Sequence, residues 1–99
     1  MHEHGLAKEL FPQMLKIAED GGFVKVTRVE MVVGSLHGAT GEFLAHSFEH
    51  AFDGTDFEGA KVDIRIVDPG ERFTPSGAAE PATADGWELM ITRIEGDAG

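Results

Sequence analysis

FVKVTRVEMVVGSLHGATGEFLAHSFEHAFDGTDFEGAKVDIRIV, residues 23–67, is the stretch on which the fold turns. Its first part, Phe23 to Val33, is rich in valine, and Val29, Met31 and Val33 alternate with Arg28, Glu30 and Val32. Alternation with a period of two is the pattern of a strand. Gly34 to Gly38 reads as a loop containing His37, and Thr40 stands where a second helix, Gly41 to Phe52, needs an N-cap. A threonine oxygen there accepts from backbone N–H groups that have no partner inside the helix. The apolar stripe of that helix is Leu44, Phe48, Ala51 and Phe52, with Phe43 at its margin, and Gly54 ends it. Ala60 to Val67 alternates again, Val62, Ile64 and Ile66 facing one way and Lys61, Asp63 and Arg65 the other. That is a half-buried strand. Strand, helix and strand in succession favour a right-handed parallel crossover.

Outward from this unit, residues 5–20 read as an amphipathic helix. Leu6, Leu10, Met14 and Ile17 recur at spacings of four, four and three, and Gly21-Gly22 supplies the stop. Pro12 is the discordant residue, since an interior proline removes one helical hydrogen bond. On the other side, Pro69 to Gly86 breaks every pattern and reads as a long irregular connection. Trp87 to Ile94 resumes strand character, with Gly96 to Gly99 as a soft tail. The element order is therefore α-β-α-β-β, and the last two strands can pair antiparallel.

With 99 residues, 41% of them hydrophobic, the chain should form one domain with a modest core. Its 18 acidic residues against 8 basic ones argue against nucleic acid, whose binding rests on clustered Lys and Arg, and against anionic lipid. Such a surface attracts cations and basic partners instead. The absence of cysteine excludes disulfides, thiolate zinc sites, iron–sulfur clusters and cysteine nucleophiles together. No apolar run approaches the length of a membrane span, and the N-terminus does not read as a secretory signal, so the expected location is the cytoplasm.

Met1-His2-Glu3-His4 is the strongest chemical feature. A histidine in second position lets one cation take the α-amine, the His2 backbone nitrogen and the His2 ring nitrogen in fused chelate rings, with Glu3 or His4 as fourth ligand. Nitrogens in a plane suit Cu(II) or Ni(II). The bland alternative is an inert, loosely held terminus. His46 and His50 form a second candidate: four residues apart, they project from one side of the second helix, with Glu42 and Asp53 near the same face. That spacing serves metal chelation, but it also arises in any solvated polar face. His37, near Ser35 and Glu42, has no third partner at meaningful spacing and does not amount to a catalytic site. The sequence reads as non-enzymatic.

The order and spacing of several elements resemble one family, the HypA nickel metallochaperones of NiFe-hydrogenase and urease maturation. The elements are Met1-His2-Glu3 with Leu6, Val29 to Val33 running into Gly34-Ser35-Leu36, and Gly41-Glu42-Phe43-Leu44 with Phe48 and Phe52. They continue with Gly54-Thr55, Glu58-Gly59-Ala60, the Val62/Ile64/Ile66 strand, and Gly86-Trp87-Glu88-Leu89 with Ile91, Ile94 and Glu95. The resemblance implies an α/β (α+β) domain over residues 1–99, two helices packed on a small three-stranded mixed sheet. It implies nickel held as cargo by the Met1 amine, the His2 side chain and the backbone at His2 and Glu3, with His4 as an extra. It implies partners too: a HypB-like GTPase and the large subunit of a nickel enzyme.

One departure is large. The family carries a zinc ribbon of two Cys-x-x-Cys pairs between its last two strands, and residues 69–86 stand there without a cysteine. Zinc is not expected. Natural loss of the ribbon and its excision with a linker in its place are both open. A competing reading follows from the loss: a zinc-less adaptor that binds a maturation partner without transferring metal.

Overall fold

The computed structural model of the protein describes residues 3–75 and 77–99, with residues 3 and 4 described by backbone alone. The chain runs α1 (Glu3–Asp20), β1 (Phe23–Gly34), a 3-10 turn (Ser35–His37), α2 (Gly41–Phe52), β2 (Lys61–Val67), β3 (Arg72–Phe73), β4 (Ala82–Thr83) and β5 (Leu89–Ala98). Two helices pack on a three-stranded mixed sheet of order β2-β1-β5, the fold expected from the sequence. β1 lies in the middle, parallel to β2 and antiparallel to β5.

The alternation of β1 sends Val29, Met31 and Val33 into the core beneath the helices, and the irregular step of the ladder between Val26 and Arg28 brings Val26 to the same side. α1 meets them with Leu6, Leu10 and Met14, as expected, but the fourth member of the stripe is corrected. Ile17 is 42% exposed, and Ala18, a further four residues on from Met14, takes the buried place beside Ala7. A helix that advances about 100° per residue keeps residues four apart on one face better than it keeps Met14 and Ile17 there once the sheet lies to one side. Pro12 sits inside α1 without ending it. Its missing N–H would have served the Lys8 carbonyl, and both residues lie on the exposed side of the helix, where the lost bond costs least. α1 stops where Gly21 donates to the Ile17 carbonyl at 3.0 Å and Gly22 adopts φ +73°, a conformation glycine reaches without steric cost.

Thr40 caps α2 as the sequence suggested, its hydroxyl oxygen accepting from Phe43 N–H at 3.3 Å. Leu44, Phe48 and Phe52 are buried, while Phe43 at the margin is 53% exposed. Past Gly54, Phe57 folds back under the helix. The rings of Phe11, Phe48, Phe52 and Phe57 form a chain of contacts with centroids 5.2–5.9 Å apart. Aromatic pairs at such separations add stabilisation beyond the area they bury.

The other face of the sheet is partly covered by residues 69–86. Expected to be irregular, this segment contains β3 and β4, paired antiparallel through Arg72 with Thr83 and Phe73 with Ala82. Two-residue strands have no period to read, so the sequence could not display them. Phe73 and Ala84 close with Val32 and Val67 into a second, smaller apolar cluster. The segment is fastened at Glu71, which accepts from Asp68 N–H at 3.1 Å and from Arg65 Nη2 at 3.0 Å.

β5 also departs from expectation. It begins at Leu89, leaving Trp87 58% exposed ahead of it, and continues through the supposed tail to Ala98. Gly96 makes that continuation possible, because a Cβ there would lie 2.1 Å from the Lys25 carbonyl oxygen at a bulged step of the ladder. Gly34 answers the same need, since its Cβ would lie 2.0 Å from the Gly86 carbonyl oxygen. Backbone cannot yield as a side-chain tip can.

Two predictions follow from this packing. Gly34→Ala should destabilise by about 1–3 kcal/mol, the range for forcing extra volume into packed surroundings, whereas Gly5→Ala, with nothing within 4 Å of its Cβ position, should not destabilise; urea unfolding measures both. Glu71 has its carboxyl held below the usual 4.5, first by the Asp68 N–H and then by Arg65. A depressed folded value stabilises above the unfolded value and is lost as pH falls through the folded one. The stability advantage of the native chain over Glu71→Gln should therefore be full above 4.5 and shrink on acidification below it, as read from urea unfolding at a series of pH values.

Candidate metal centre

α1 begins at Glu3, so Glu3 and His4 stand in its first turn. Met1 and His2 lie outside the described residues. The first N–H groups of a helix have no intrahelical acceptor. An amide nitrogen at this point can therefore exchange its proton for a metal without costing the helix a hydrogen bond. Leu6, Ala7 and Leu10, 8%, 3% and 1% exposed, anchor the turn that follows.

Chain direction places other residues at the same end of the fold. α1 runs toward Gly21-Gly22 and β1 returns antiparallel to it, ending at Gly34 with the Ser35–His37 turn beyond. α2 starts over the end of β2, where a Cβ on Gly41 would lie 3.9 Å from Ile66 Cγ1. Gly34 N–H donates to the Glu88 carbonyl and Leu36 N–H to the Gly86 carbonyl, which draws Trp87 to this end as well.

His37 lies 3.1 Å, through Nε2, from the Trp87 carbonyl oxygen, and its ring meets the indole edge-on with centroids 5.4 Å apart. A carbonyl only accepts, so the proton is on Nε2. The ring is thus engaged in tying the β1–α2 turn to the start of β5, which is a structural task. The pairing of His37 with Ser35 and Glu42 that the sequence could be drawn to suggest finds no hydrogen bond in the fold.

His46 and His50 are both on the exposed side of α2, with ring centroids 4.9 Å apart and planes at 88°. Glu49 Oε2 lies 4.0 Å from His46 Nδ1. Among the described residues, no three His, Asp or Glu side chains converge as a metal cage.

A charged cluster on the outer face of the sheet escaped the sequence reading. Arg28 on β1 contacts Asp63 on β2 and reaches Glu30 and Glu95 Oε2 at 3.5 and 3.8 Å, and Arg93 meets Glu95 at 3.2 Å. Arg28, Asp63 and Glu95 are distant in sequence, and only the register, which sets Arg28 opposite both Lys61 and Glu95, brings them together. Side chains this exposed form ion pairs worth little singly. The cluster joins the three strands.

Comparison with known proteins adds a separate line of observation. Residues 1–72 match the family model described as hydrogenase/urease nickel incorporation, metallochaperone, HypA. The hydrogenase maturation factor HypA of Moorella thermoacetica is 34% identical over 113 aligned positions, covering 98% of this chain and 100% of that protein. The corresponding protein of Chlorobaculum tepidum is 33% identical over 84 residues, 85% of this chain and 74% of that one. The match to the Nitrosospira multiformis protein, 36% identical, spans 65% of this chain and 56% of its relative. The solution structure of the Ni metallochaperone HypA from Helicobacter pylori superposes with a TM-score of 0.67 over 100% of both chains at 15% identity, a likeness of fold.

The structural role of His37 is testable. His37→Ala removes one side-chain hydrogen bond and should cost about 0.5–1.5 kcal/mol. Denaturant unfolding followed through the fluorescence of Trp87, the only tryptophan, reads the loss and the altered ring environment together.

Proposed function

The chain belongs to the HypA family, and from that membership we propose that it is a nickel-binding accessory protein, a metallochaperone serving maturation of a nickel enzyme such as a NiFe-hydrogenase. It carries Ni(II) as cargo and performs no catalysis of its own. The ligands are the Met1 amine, backbone nitrogen at His2 and Glu3, and the His2 imidazole, with the Glu3 or His4 side chain available to complete the plane. The observation that carries this reading is the family match that begins at residue 1, joined to the start of α1 at Glu3.

The position of the helix explains how such a site works. Amide nitrogens at and just before a helix start are free of intrahelical acceptors, so their deprotonation by nickel leaves α1 intact. The positive end of the helix dipole opposes a cation modestly, and each deprotonated amide brings a compensating negative charge. Nickel is therefore held by chelation and released when protons return, a chemistry suited to cargo that must be handed on. A HypB-like GTPase and the nickel-enzyme large subunit are the partners in that transfer, and residues 1–99 act as one nickel-binding domain. The 18-residue segment 69–86 stands where relatives are expected to carry a zinc ribbon. With no cysteine among residues 1–99, these residues offer no thiolate ligand for zinc.

Calorimetric titration of Ni(II) into the native chain, His2→Ala and an N-terminally extended form tests the reading. Tight binding should appear in the native chain and be lost in both others, because extension removes the free amine even with His2 present. Affinity in the native chain should rise with pH, since the ligating nitrogens must shed protons. Equal tight binding in all three would refute the N-terminal site. Partner binding that is indifferent to His2→Ala and to chelator would favour the adaptor reading.

A further inference from the structure

We propose that His46 and His50 form a second divalent transition-metal site on α2, a bidentate chelate independent of the N-terminus and weaker than it. The geometry of the ring pair is the first observation. With a metal–nitrogen bond of about 2.0–2.1 Å and the ring centre about 1.1 Å beyond the nitrogen, each ring centre lies about 3.2 Å from a shared metal. Two imidazoles bound at a right angle then have centres about 4.5 Å apart, and at the tetrahedral angle about 5.2 Å. The observed separation is 4.9 Å. The ring spacing thus falls within the range that a shared metal imposes, and rotation of the two exposed side chains can turn their nitrogens toward one ion.

Their surroundings favour a cation. His50 lies in the last turn of α2, where the carbonyl end of the helix carries partial negative charge. Glu49 Oε2 lies 4.0 Å from His46 Nδ1, which puts a carboxylate charge beside that ring and leaves its Nε2 free to ligate. His46 also opens on a shallow surface cleft of about 460 Å³ lined by Glu42, Phe43, Ala45 and Glu49, which admits the metal with its remaining waters. Two protein ligands and several waters make an open, exchangeable site. Imidazole suits nickel, copper and zinc alike; in a chain that carries nickel, this is a second nickel station. That last role rests on the proposed function, whereas the site itself does not.

The test uses the full chain with its N-terminus extended, so that the amine site is blocked, and Ni(II) alone as probe. One equivalent of nickel should still bind, with selective broadening of the His46 and His50 ring proton signals by the paramagnetic ion. His46→Ala and His50→Ala, each exposed on a helix and so compatible with folding, should each abolish that binding while circular dichroism remains that of the parent. An extended chain that binds no nickel, or one whose binding survives both substitutions, overturns the inference. The N-terminal reading fails on a different result: native chain and His2→Ala binding alike.

Discussion

The two-sided pairing of β1 is the constraint on which the rest depends. Its twelve residues bond β2 on one edge and β5 on the other, and its inward side chains, Val26, Val29, Met31 and Val33, are between 0% and 2% exposed. Everything else is placed relative to that strand. The parallel pairing with β2 requires a crossover, and α2 is that crossover. α1 covers the remaining width of the same face, and the phenylalanine chain from Phe11 to Phe57 locks the two helices to each other. A shift of one residue in the β1 register would turn Val29 and Met31 outward and Arg28 and Glu30 into the core, a cost no surface contact offsets.

Function inherits this geometry at its two ends. The first turn of α1 and the turn after β1 are brought to one end of the fold by the antiparallel run of helix and central strand, and Leu6, Ala7 and Leu10 anchor the start of that helix in the core. α2, fixed against β2 by its buried stripe, turns His46 and His50 to water for the same reason that it buries Leu44, Phe48 and Phe52.

Part of the sheet's outer face is closed by residues 69–86. Phe73 and Ala84 cover Val32 and Val67, and Glu71 ties the segment to Arg65 and the Asp68 backbone. A segment without the family's zinc ribbon thus still performs a packing task. This was invisible in the sequence, because a lone phenylalanine among prolines, glycines and alanines has no periodicity and its partner Val32 stands 41 residues earlier. The extension of β5 through Gly96 was hidden for a related reason: glycine there looks like a tail, and only the approach of the Lys25 carbonyl shows why no other residue fits.

By itself the sequence determined the element types and order of the main fold, the N-cap at Thr40, the candidate chelate at Met1-His2-Glu3-His4 and the impossibility of a thiolate zinc site. Each of these is a local matter, settled by period, by a capping oxygen, by fused ring size or by the absence of cysteine. Tertiary structure alone decided that Ile17 is exposed while Ala18 is buried, that Trp87 lies outside its strand and takes its carbonyl to His37, and that Arg28 meets Asp63 and Glu95. It also set the 4.9 Å between the rings of His46 and His50. These depend on where a sheet lies, which strand edge is free and which rotamers packing leaves open, and such facts exist only once residues far apart in the chain have been brought into contact.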